Sequence, residues 1–144
     1  MRIGLVEVLG AGEVNDVLED EFEKELSNVE IKRHLVPTID DTALGARVLL
    51  EDMECELVVV GYPLEDGEKM SQAFQQSVLN AQYEMKKHIF RVFIPADKEI
   101  KDYARAAAKE IVRYFYQPEA LSEERSTMHE PEKESSFSPF AMFD

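Results

Sequence analysis

Two glycines that directly follow an apolar run are the first residues of this chain whose spacing could do chemistry. In the stretch "VEVLGAGEVND", residues 6–16, Gly10 and Gly12 separate a strand-like segment from a helix-like one, and such a loop can hold a phosphate against a helix N-terminus. A dinucleotide fingerprint, however, needs a third glycine where Asn15 stands, and a P-loop needs a Gly-Lys-Ser/Thr triplet that the sequence lacks. Glu13 adds negative charge where an anion would bind. The stretch therefore favours a tight strand-to-helix turn, with a small-ligand loop as the alternative.

Side chains that titrate or bind cations form the second group of candidates. His34 is the histidine that we expect beside a ligand crevice, where an imidazole could act as a general acid or base. We expect His88 to be structural and His129 to be solvated. Because solvated acids are the commoner case in so acidic a chain, we predict no metal site and leave Mg²⁺ as the alternative. The loop carboxylates that could hold Mg²⁺ with a substrate phosphate are Asp40, Asp41, Glu65, Asp66 and Glu68.

Hydrophobic periodicity predicts the elements that must position these side chains. Short apolar runs predict strands at residues 2–8, 29–36, 55–60 and 89–94, and apolar residues at helical spacing follow each strand. The second helix is expected to carry Leu44, Val48, Leu49 and Met53 on its apolar face, and the third to run from about Glu68 to Lys87. Four strands that alternate with four helices predict one three-layer α/β domain with a four-stranded parallel sheet.

Parallel sheets of this kind bind their ligands at the carboxyl ends of the strands. Three loops at that edge therefore matter most, namely residues 9–13, 37–42 and 61–69. His34 lies near the end of the second strand and thus on the crevice side, whereas His88 precedes the fourth strand and lies at the opposite end. Tyr62 follows the third apolar run, where a phenol could stack on a ligand ring, donate a hydrogen bond to it, or pack between subunits.

The charge balance restricts the classes of partner. The chain has 30 acidic against 16 basic residues and a formal net charge of −14, which repels a nucleic-acid backbone and an anionic membrane surface. The one cysteine, Cys55, cannot form an internal disulfide and is expected to be buried. No apolar run approaches the roughly 20 residues of a membrane-spanning helix. We therefore predict a soluble cytoplasmic protein that binds neither nucleic acid nor membrane.

Two segments of the chain differ in composition. Residues 1–121 carry the predicted elements and are expected to form one domain, whereas residues 122–144 are rich in Glu and Ser and predict an acidic, flexible tail. The closing stretch "FSPFAMFD", from Phe137 to Asp144, places three phenylalanines and a methionine beside the terminus. It is either a docking peptide or an end that binds nothing.

Four longer stretches of the chain are typical of one family. They are "VPTIDDTALGARVLL" (36–50), "CELVVVGYP" (55–63), "NAQYEMKKHIFRVFIPADKEIKD" (80–102) and "RYFYQPEAL" (113–121). These stretches resemble segments of the archaeal riboflavin synthases, relatives of the lumazine synthases, and the resemblance extends over about residues 1–121. It implies a lumazine-synthase-like fold with the flavodoxin-like strand order 2-1-3-4 and a homopentamer. It also implies dismutation of two 6,7-dimethyl-8-ribityllumazine molecules to riboflavin between subunits, without an organic cofactor.

The resemblance implies roles for individual residues. Glu7 and His34 would handle protons, and Tyr62 would stack on the ligand ring. Where the family has a C-A-H-E-A-S motif, this chain has "MSQAFQ", residues 70–75, and its first loop has neither the family's aromatic residue nor its arginine. The implied substrate-binding positions are Leu9, Gly10, Pro37, Thr38, Ile39, Asp41, Gly61, Tyr62, Pro63 and Gln72.

These departures from the family pattern leave functions of two classes open. The first is an enzyme, a riboflavin synthase that acts on ribityllumazine, with lumazine synthase itself as a more distant candidate. The second is a non-catalytic or repurposed paralogue, which binds a flavin-like or pterin-like ring, or binds a protein partner through its tail. Function depends on the site rather than on the fold, so the site geometry has to separate them.

Overall fold

The described part of this computed structural model is residues 1–116. Its strands are β1 (Arg2–Val8), β2 (Glu30–Val36), β3 (Leu57–Pro63) and β4 (Ile89–Ile94), and its helices are α1 (Gly12–Glu25), α2 (Thr42–Arg47), α3 (Gln72–Met85) and α4 (Ile100–Tyr116). Within these residues, no helix combines the length and the apolarity needed to span a bilayer. The predicted tail with its docking stretch, and the last residues of the predicted domain, lie outside the described residues.

The four strands form one parallel sheet. β1 pairs with β2 on one side and with β3 on the other, and β3 pairs with β4, so the order is β2-β1-β3-β4. This confirms the predicted α/β fold and strand order. The central strands β1 and β3 are nearly continuous apolar runs, as strands covered on both faces are, whereas the edge strand β2 carries charged residues.

Helices cover both faces of the sheet. α2 and α3 pack over Val6, Val58 and Val60, and we call this side the α2/α3 face. α1 and α4 pack over Leu5 and Val59 on the other side, the α1/α4 face. The two faces therefore have separate apolar cores, because successive side chains of a strand point to opposite sides. Cys55 is fully buried on the α2/α3 face, which confirms that prediction.

The opening glycine stretch forms a tight turn between β1 and α1. Gly10 adopts a φ of +87°, a left-handed conformation that favours glycine. Asn15, at the place of the third glycine of a dinucleotide fingerprint, is fully buried, and its Nδ2 donates to Val6 O at 3.0 Å. The close approach of helix to sheet occurs instead at Gly61 of β3, where an added Cβ would lie 2.8 Å from Asn15 Oδ1. In a dinucleotide fingerprint the helix carries the glycine that permits close packing. Here the helix carries Asn15, and the glycine is Gly61 of the strand.

The segment after β2 differs from the single helix that we expected. It begins with a 3₁₀ turn (Ile39–Asp41), continues as the short α2, and ends in a π-helical turn (Val48–Asp52). Of the residues expected on the apolar face, Leu49 is fully buried, but the expectation was wrong for Leu44 and Met53, which are 65 % and 38 % exposed. Small residues of α2 face the sheet instead. Gly45 is so close that an added Cβ would lie 2.9 Å from a methyl group of β2.

The third helix begins later than expected. α3 starts after Ser71, whose Oγ accepts a hydrogen bond from Phe74 N at 3.1 Å and caps the helix. Glu68, where the helix was predicted to begin, belongs to the loop between β3 and α3. The loop at this edge of the sheet is therefore longer than the sequence predicted.

Candidate functional site

The predicted binding residues lie at the carboxyl edge of the sheet. Leu9 and Gly10 belong to the turn after β1, and the second group follows the end of β2. Gly61, Tyr62 and Pro63 are the last three residues of β3, and Gln72 is the first residue of α3. The structure therefore brings the predicted positions to one edge of the sheet, and their roles in binding stay predictions. The second group is Pro37, Thr38, Ile39 and Asp41.

The loop after β2 is held by two hydrogen bonds of threonine side chains. Thr38 Oγ1 donates to Asp41 Oδ2 at 2.9 Å, and Thr42 Oγ1 donates to Ile39 O at 2.8 Å. These bonds are local and stabilise the 3₁₀ turn from within its own segment. One oxygen of Asp41 is engaged in this way.

Partly buried apolar side chains line the carboxyl edge on the α2/α3 face. Ile39, Tyr62 and Phe93, near the ends of their elements, pack against the apolar core, and Met70 of the loop before α3 packs against it as well. Phe93 also contacts Phe74 of α3, with ring centroids 5.7 Å apart. Half-exposed apolar and aromatic groups of this kind form the surface on which a flat heterocycle packs. We call these four residues the apolar floor.

Tyr62 is held by Glu68 from the loop that follows β3. The Tyr62 hydroxyl donates to Glu68 Oε2 at 3.2 Å, and Glu68 Oε1 accepts from Glu65 N at 2.8 Å. Burial raises the pKa of the Tyr62 phenol, and the negative charges of Glu68 and Glu65 raise it further. The phenol is therefore protonated near neutrality. Sequence analysis counted Glu68 only as one of several acids and missed this contact.

A cleft of about 320 Å³ lies between the loop after β3 and the turn after β4, lined by residues 64–68 and 95–97. Its charged side chains are carboxylates, so the potential in the cleft is negative and opposes a phosphate group. Within the described residues, no three acidic, histidine or cysteine side chains converge on a point that a metal ion could occupy. The expectation that no cofactor is needed stays a prediction.

Glu7 lies on the α1/α4 face, where Arg33 of β2 binds it. Arg33 Nε donates to Glu7 Oε1 at 3.1 Å, and its Nη1 donates to Asp16 Oδ1 at 2.7 Å and to Glu19 Oε1 at 3.2 Å. Burial opposes the charge of the guanidinium, but the hydrogen bonds to Asp16 and Glu7 outweigh it, and the pKa of Arg33 is raised. Glu7 is thus an ion-pair partner here. Arg33 was missed, although it and Glu7 share the parity of one sheet face.

The two predicted proton-handling residues do not meet within one chain. His34 pairs with Val6 in the sheet, one position before Glu7 on the neighbouring strand. It packs on the α2/α3 face, where its Cδ2 lies 3.3 Å from the Cβ position of Gly45, whereas Glu7 lies against Gly12 of α1. The sheet therefore separates the two groups. The catalytic role of each residue stays a prediction.

His88 lies at the opposite edge of the sheet, as expected for a structural residue. Its ring stacks on Phe90 at 5.4 Å and meets the edge of Tyr114 of α4 at 5.2 Å. Burial lowers the pKa of the His88 imidazole. The group joins the start of β4 to the end of α4, far from the carboxyl edge.

The fold and its crevice define an α/β protein with one parallel sheet whose candidate ligand surface lies at the carboxyl edge. No protein-family model matches the chain. The riboflavin synthase of Methanothermobacter thermautotrophicus is 27 % identical over 117 residues, which cover 73 % of this chain and 76 % of that protein. The riboflavin synthase of Methanothermobacter marburgensis is 28 % identical over 115 residues, which cover 72 % and 75 %. The chain is thus distantly related to the archaeal riboflavin synthases, as the quoted stretches predicted.

One solved structure is also similar in part. A GDP-L-fucose synthetase from Naegleria fowleri, bound to NADP, has 18 % sequence identity and a TM-score of 0.36 to this chain. The match covers 87 % of this chain and 47 % of that one, so this chain spans about half its length. A similarity at that TM-score carries no conclusion about fold or ligand.

Proposed function

We propose that this protein has the riboflavin synthase activity of riboflavin biosynthesis, the dismutation of two 6,7-dimethyl-8-ribityllumazine molecules. The observation that carries this proposal is the similarity to two riboflavin synthases over about three quarters of the chain. The relatives are named as riboflavin synthases, and we propose the same activity for this chain. The proposal assigns the lumazine site to the carboxyl edge of the sheet.

The apolar floor supports this ligand class. The reaction requires two flat rings stacked in register, and the acidic 7-methyl group of lumazine supplies the carbanion, so orientation contributes much of the rate. Tyr62 and the other floor residues offer a half-buried surface for one ring. In this proposal the backbone from Pro37 to Ile39 and the carboxylate of Asp41 hold the ribityl chain. Their hydrogen-bond acceptors match the hydroxyl donors of a polyol.

The charge of the cleft favours an unphosphorylated ligand. Carboxylates at residues 65, 66, 68 and 97 border the cleft beside β3 and β4. A phosphorylated substrate would have to approach this negative potential, whereas ribityl hydroxyls donate hydrogen bonds to it. This observation supports a reaction between two ribityllumazines over one that needs a sugar phosphate.

We further propose a homopentamer in the cytoplasm, with sites between subunits. Exposed apolar side chains flank the edge strand β2: Leu9 is 67 % exposed and Leu35 is 57 % exposed. Leu9 N donates to Val36 O at the end of β2, so both leucines lie at the carboxyl end of the sheet edge. Apolar groups clustered at an open strand edge are typical of surfaces that another copy covers.

The second candidate is a paralogue that binds a flavin-like or pterin-like ring without turnover, or a partner protein through its tail. The observation that favours it is the state of Glu7, which Arg33 holds on the α1/α4 face, away from the apolar floor. In addition, residues 70–75 carry no group that titrates near neutrality. This candidate keeps the ligand surface and lacks the proton transfer.

The experiment is a titration of the purified protein with 6,7-dimethyl-8-ribityllumazine. Ligand fluorescence reports binding, and riboflavin absorbance in the same cuvette reports turnover. Turnover establishes the synthase function. Binding without turnover supports the paralogue and overturns the synthase proposal. Absence of both overturns the synthase proposal and binding of this lumazine, and leaves other flavin-like or pterin-like rings and the tail to test.

A further inference from the structure

The carboxylate of Glu68 is held at both oxygens. Its Oε1 accepts from Glu65 N at 2.8 Å, and its Oε2 accepts from the Tyr62 hydroxyl at 3.2 Å. The backbone closes the same loop, because Glu68 N donates to Glu65 O at 2.9 Å. Glu68 therefore has one defined position, and it anchors the end of Tyr62 to the loop between β3 and α3.

This contact sets which way the Tyr62 hydroxyl points its proton. An ionised carboxylate can only accept hydrogen bonds, so the single hydrogen of the phenol is directed to Glu68. What remains on Tyr62 Oη is its acceptor capacity. A neighbouring ligand atom that is itself an acceptor, such as a carbonyl oxygen, would meet lone pairs and be left without a hydrogen bond.

The position of Tyr62 makes this polarity relevant to a ligand. Tyr62 is the penultimate residue of β3, half-buried in the apolar floor. Glu68, which holds its hydroxyl, belongs to the lining of the adjacent cleft. A ring that packs on the floor therefore has its edge beside the Tyr62 hydroxyl oxygen, whose proton is directed to Glu68.

We propose that Glu68 is a positioning residue, which fixes Tyr62 as a hydrogen-bond acceptor and so selects a ligand that presents an N–H or O–H donor at this point. The inference rests on the proposed function, because it concerns the ligand of the same site. A ribityllumazine has donors of both kinds, the imide N–H of the ring and the hydroxyls of the ribityl chain. The shared chemistry is the donor, and suitable probes separate the two sources.

Three probes and four forms of the protein test the proposal. The probes are 6,7-dimethyl-8-ribityllumazine, the same molecule methylated at the imide nitrogen N3, and 6,7,8-trimethyllumazine, which lacks the hydroxyls. The forms are the unaltered protein, Glu68→Gln, Tyr62→Phe and the double variant, with dissociation constants measured by ligand fluorescence. Glu99→Gln makes the same change of side chain at an exposed residue outside the cleft lining and serves as the matched control.

The unaltered protein is expected to bind the parent compound about tenfold more tightly than the probe that lacks the relevant donor. In Glu68→Gln the amide can donate to Tyr62 Oη, which turns the phenol proton toward the ligand, so this tenfold factor is lost while the proposed contacts of the ribityl chain with Asp41 are unchanged. Tyr62→Phe has the same effect, and the double variant adds nothing, because both residues act through one hydroxyl. Glu99→Gln keeps the tenfold preference.

A purely structural role of Glu68 would weaken all three probes by the same factor, so the ratio between probes is the deciding readout. A spectroscopic readout accompanies it, the tyrosinate absorbance of Tyr62 in alkaline titrations, taken as the difference from Tyr62→Phe. It is expected to appear at lower pH in Glu68→Gln. A ratio unchanged by Glu68→Gln, in a protein that binds the parent compound, overturns this inference and leaves the proposed function intact. Failure of the unaltered protein to bind any probe overturns both.

Discussion

The two faces of the sheet differ most at the carboxyl edge. On the α1/α4 face, Arg33 is bound by carboxylates from β1 and α1, and these ion pairs cover the start of α1. On the α2/α3 face, the corresponding edge is formed by the apolar floor, with the Tyr62 hydroxyl held by Glu68. The polar groups of the α1/α4 face therefore bind one another. The α2/α3 face instead has an apolar surface beside polar atoms that hydrogen bonds hold in place.

This difference separates packing residues from ligand residues within one short segment. Gly61 and Tyr62 are neighbours in β3, and both were predicted to bind substrate. An added Cβ at Gly61 would point to Asn15 and Val14 of α1, whereas Tyr62 packs on the opposite core. Adjacent residues of a strand thus serve opposite faces, and only the second of them reaches the candidate ligand surface.

The largest expected effect comes from adding a methyl group on the α1/α4 face. Gly61→Ala places a Cβ 2.8 Å from Asn15 Oδ1 and 2.8 Å from Val14 Cγ1, so the free energy of unfolding should fall by about 2 kcal/mol. Urea unfolding measures this change. In the background Val14→Ala, which removes one clashing group, the added cost of Gly61→Ala should be smaller. Unchanged stability combined with loss of lumazine affinity would place Gly61 on the ligand side and contradict the comparison.

A smaller effect is expected from the charge network of the same face. Arg33→Met should lower the free energy of unfolding by about 1 kcal/mol at low salt, because Glu7, Asp16 and Glu19 then repel one another without a cation. The Arg33 and Glu7 side chains are 29 % and 24 % exposed, so solvent screening keeps the cost moderate. Stability should be measured at low and high salt, and the difference from the unaltered protein should shrink as salt increases.

Ligand affinity tells whether the two faces are independent. Arg33→Met should leave lumazine binding unchanged, since Arg33 contacts only the α1/α4 face. The matched control is Arg47→Met, which removes an exposed ion pair with Glu84 between α2 and α3 and should cost less than about 0.5 kcal/mol. If Arg33→Met abolished turnover at unchanged stability, Glu7 would be a participant in the reaction, and the ligand would have to reach the α1/α4 face.

The sequence predicted the elements better than the contacts between them. The bounds of β1 and β4 match the predicted strands, because each is an apolar run with sharp limits. The segment after β2 did not follow, since small residues such as Gly45 pack against the sheet and turn Leu44 outward. A helical spacing of apolar residues cannot foresee that close packing replaces a large apolar side chain.

The candidate site was predictable in position and less so in connection. Parallel topology placed Tyr62 at the carboxyl edge, but its bond to Glu68 depends on a loop that Ser71 lengthens by delaying α3. The ion pair of Arg33 with Glu7 depends on the register of β1 with β2, which pairs Leu5 with Arg33. Register and loop geometry are tertiary properties, so neighbouring positions in the sequence did not reveal these partners.

The smallest expected effect concerns how the stability of the α1/α4 face depends on pH. On that face His88 packs between Phe90 and Tyr114. Burial lowers the pKa of His88 in the folded protein, whereas in the unfolded chain an imidazole has its ordinary value of about 6.5. The unfolded state therefore binds the proton more tightly, and stability falls as the pH drops from about 6.5 toward the folded pKa. Above pH 6.5 the contribution of neutral His88 is fully present.

His88→Phe keeps an aromatic ring against Phe90 and removes the proton, so the unfolding free energy of this variant should depend less on pH between 7.5 and 5. Urea unfolding at several pH values measures both curves, and the chain has only three histidines, which limits other contributions in this range. Because Phe90 belongs to the core under α1 and α4, acid should loosen that face before it affects the apolar floor. If the unfolding free energies of the two proteins depended on pH in the same way, the buried imidazole would be protonated without cost. The α1/α4 face would then accept a charge in its interior as well as at the Arg33 ion pairs.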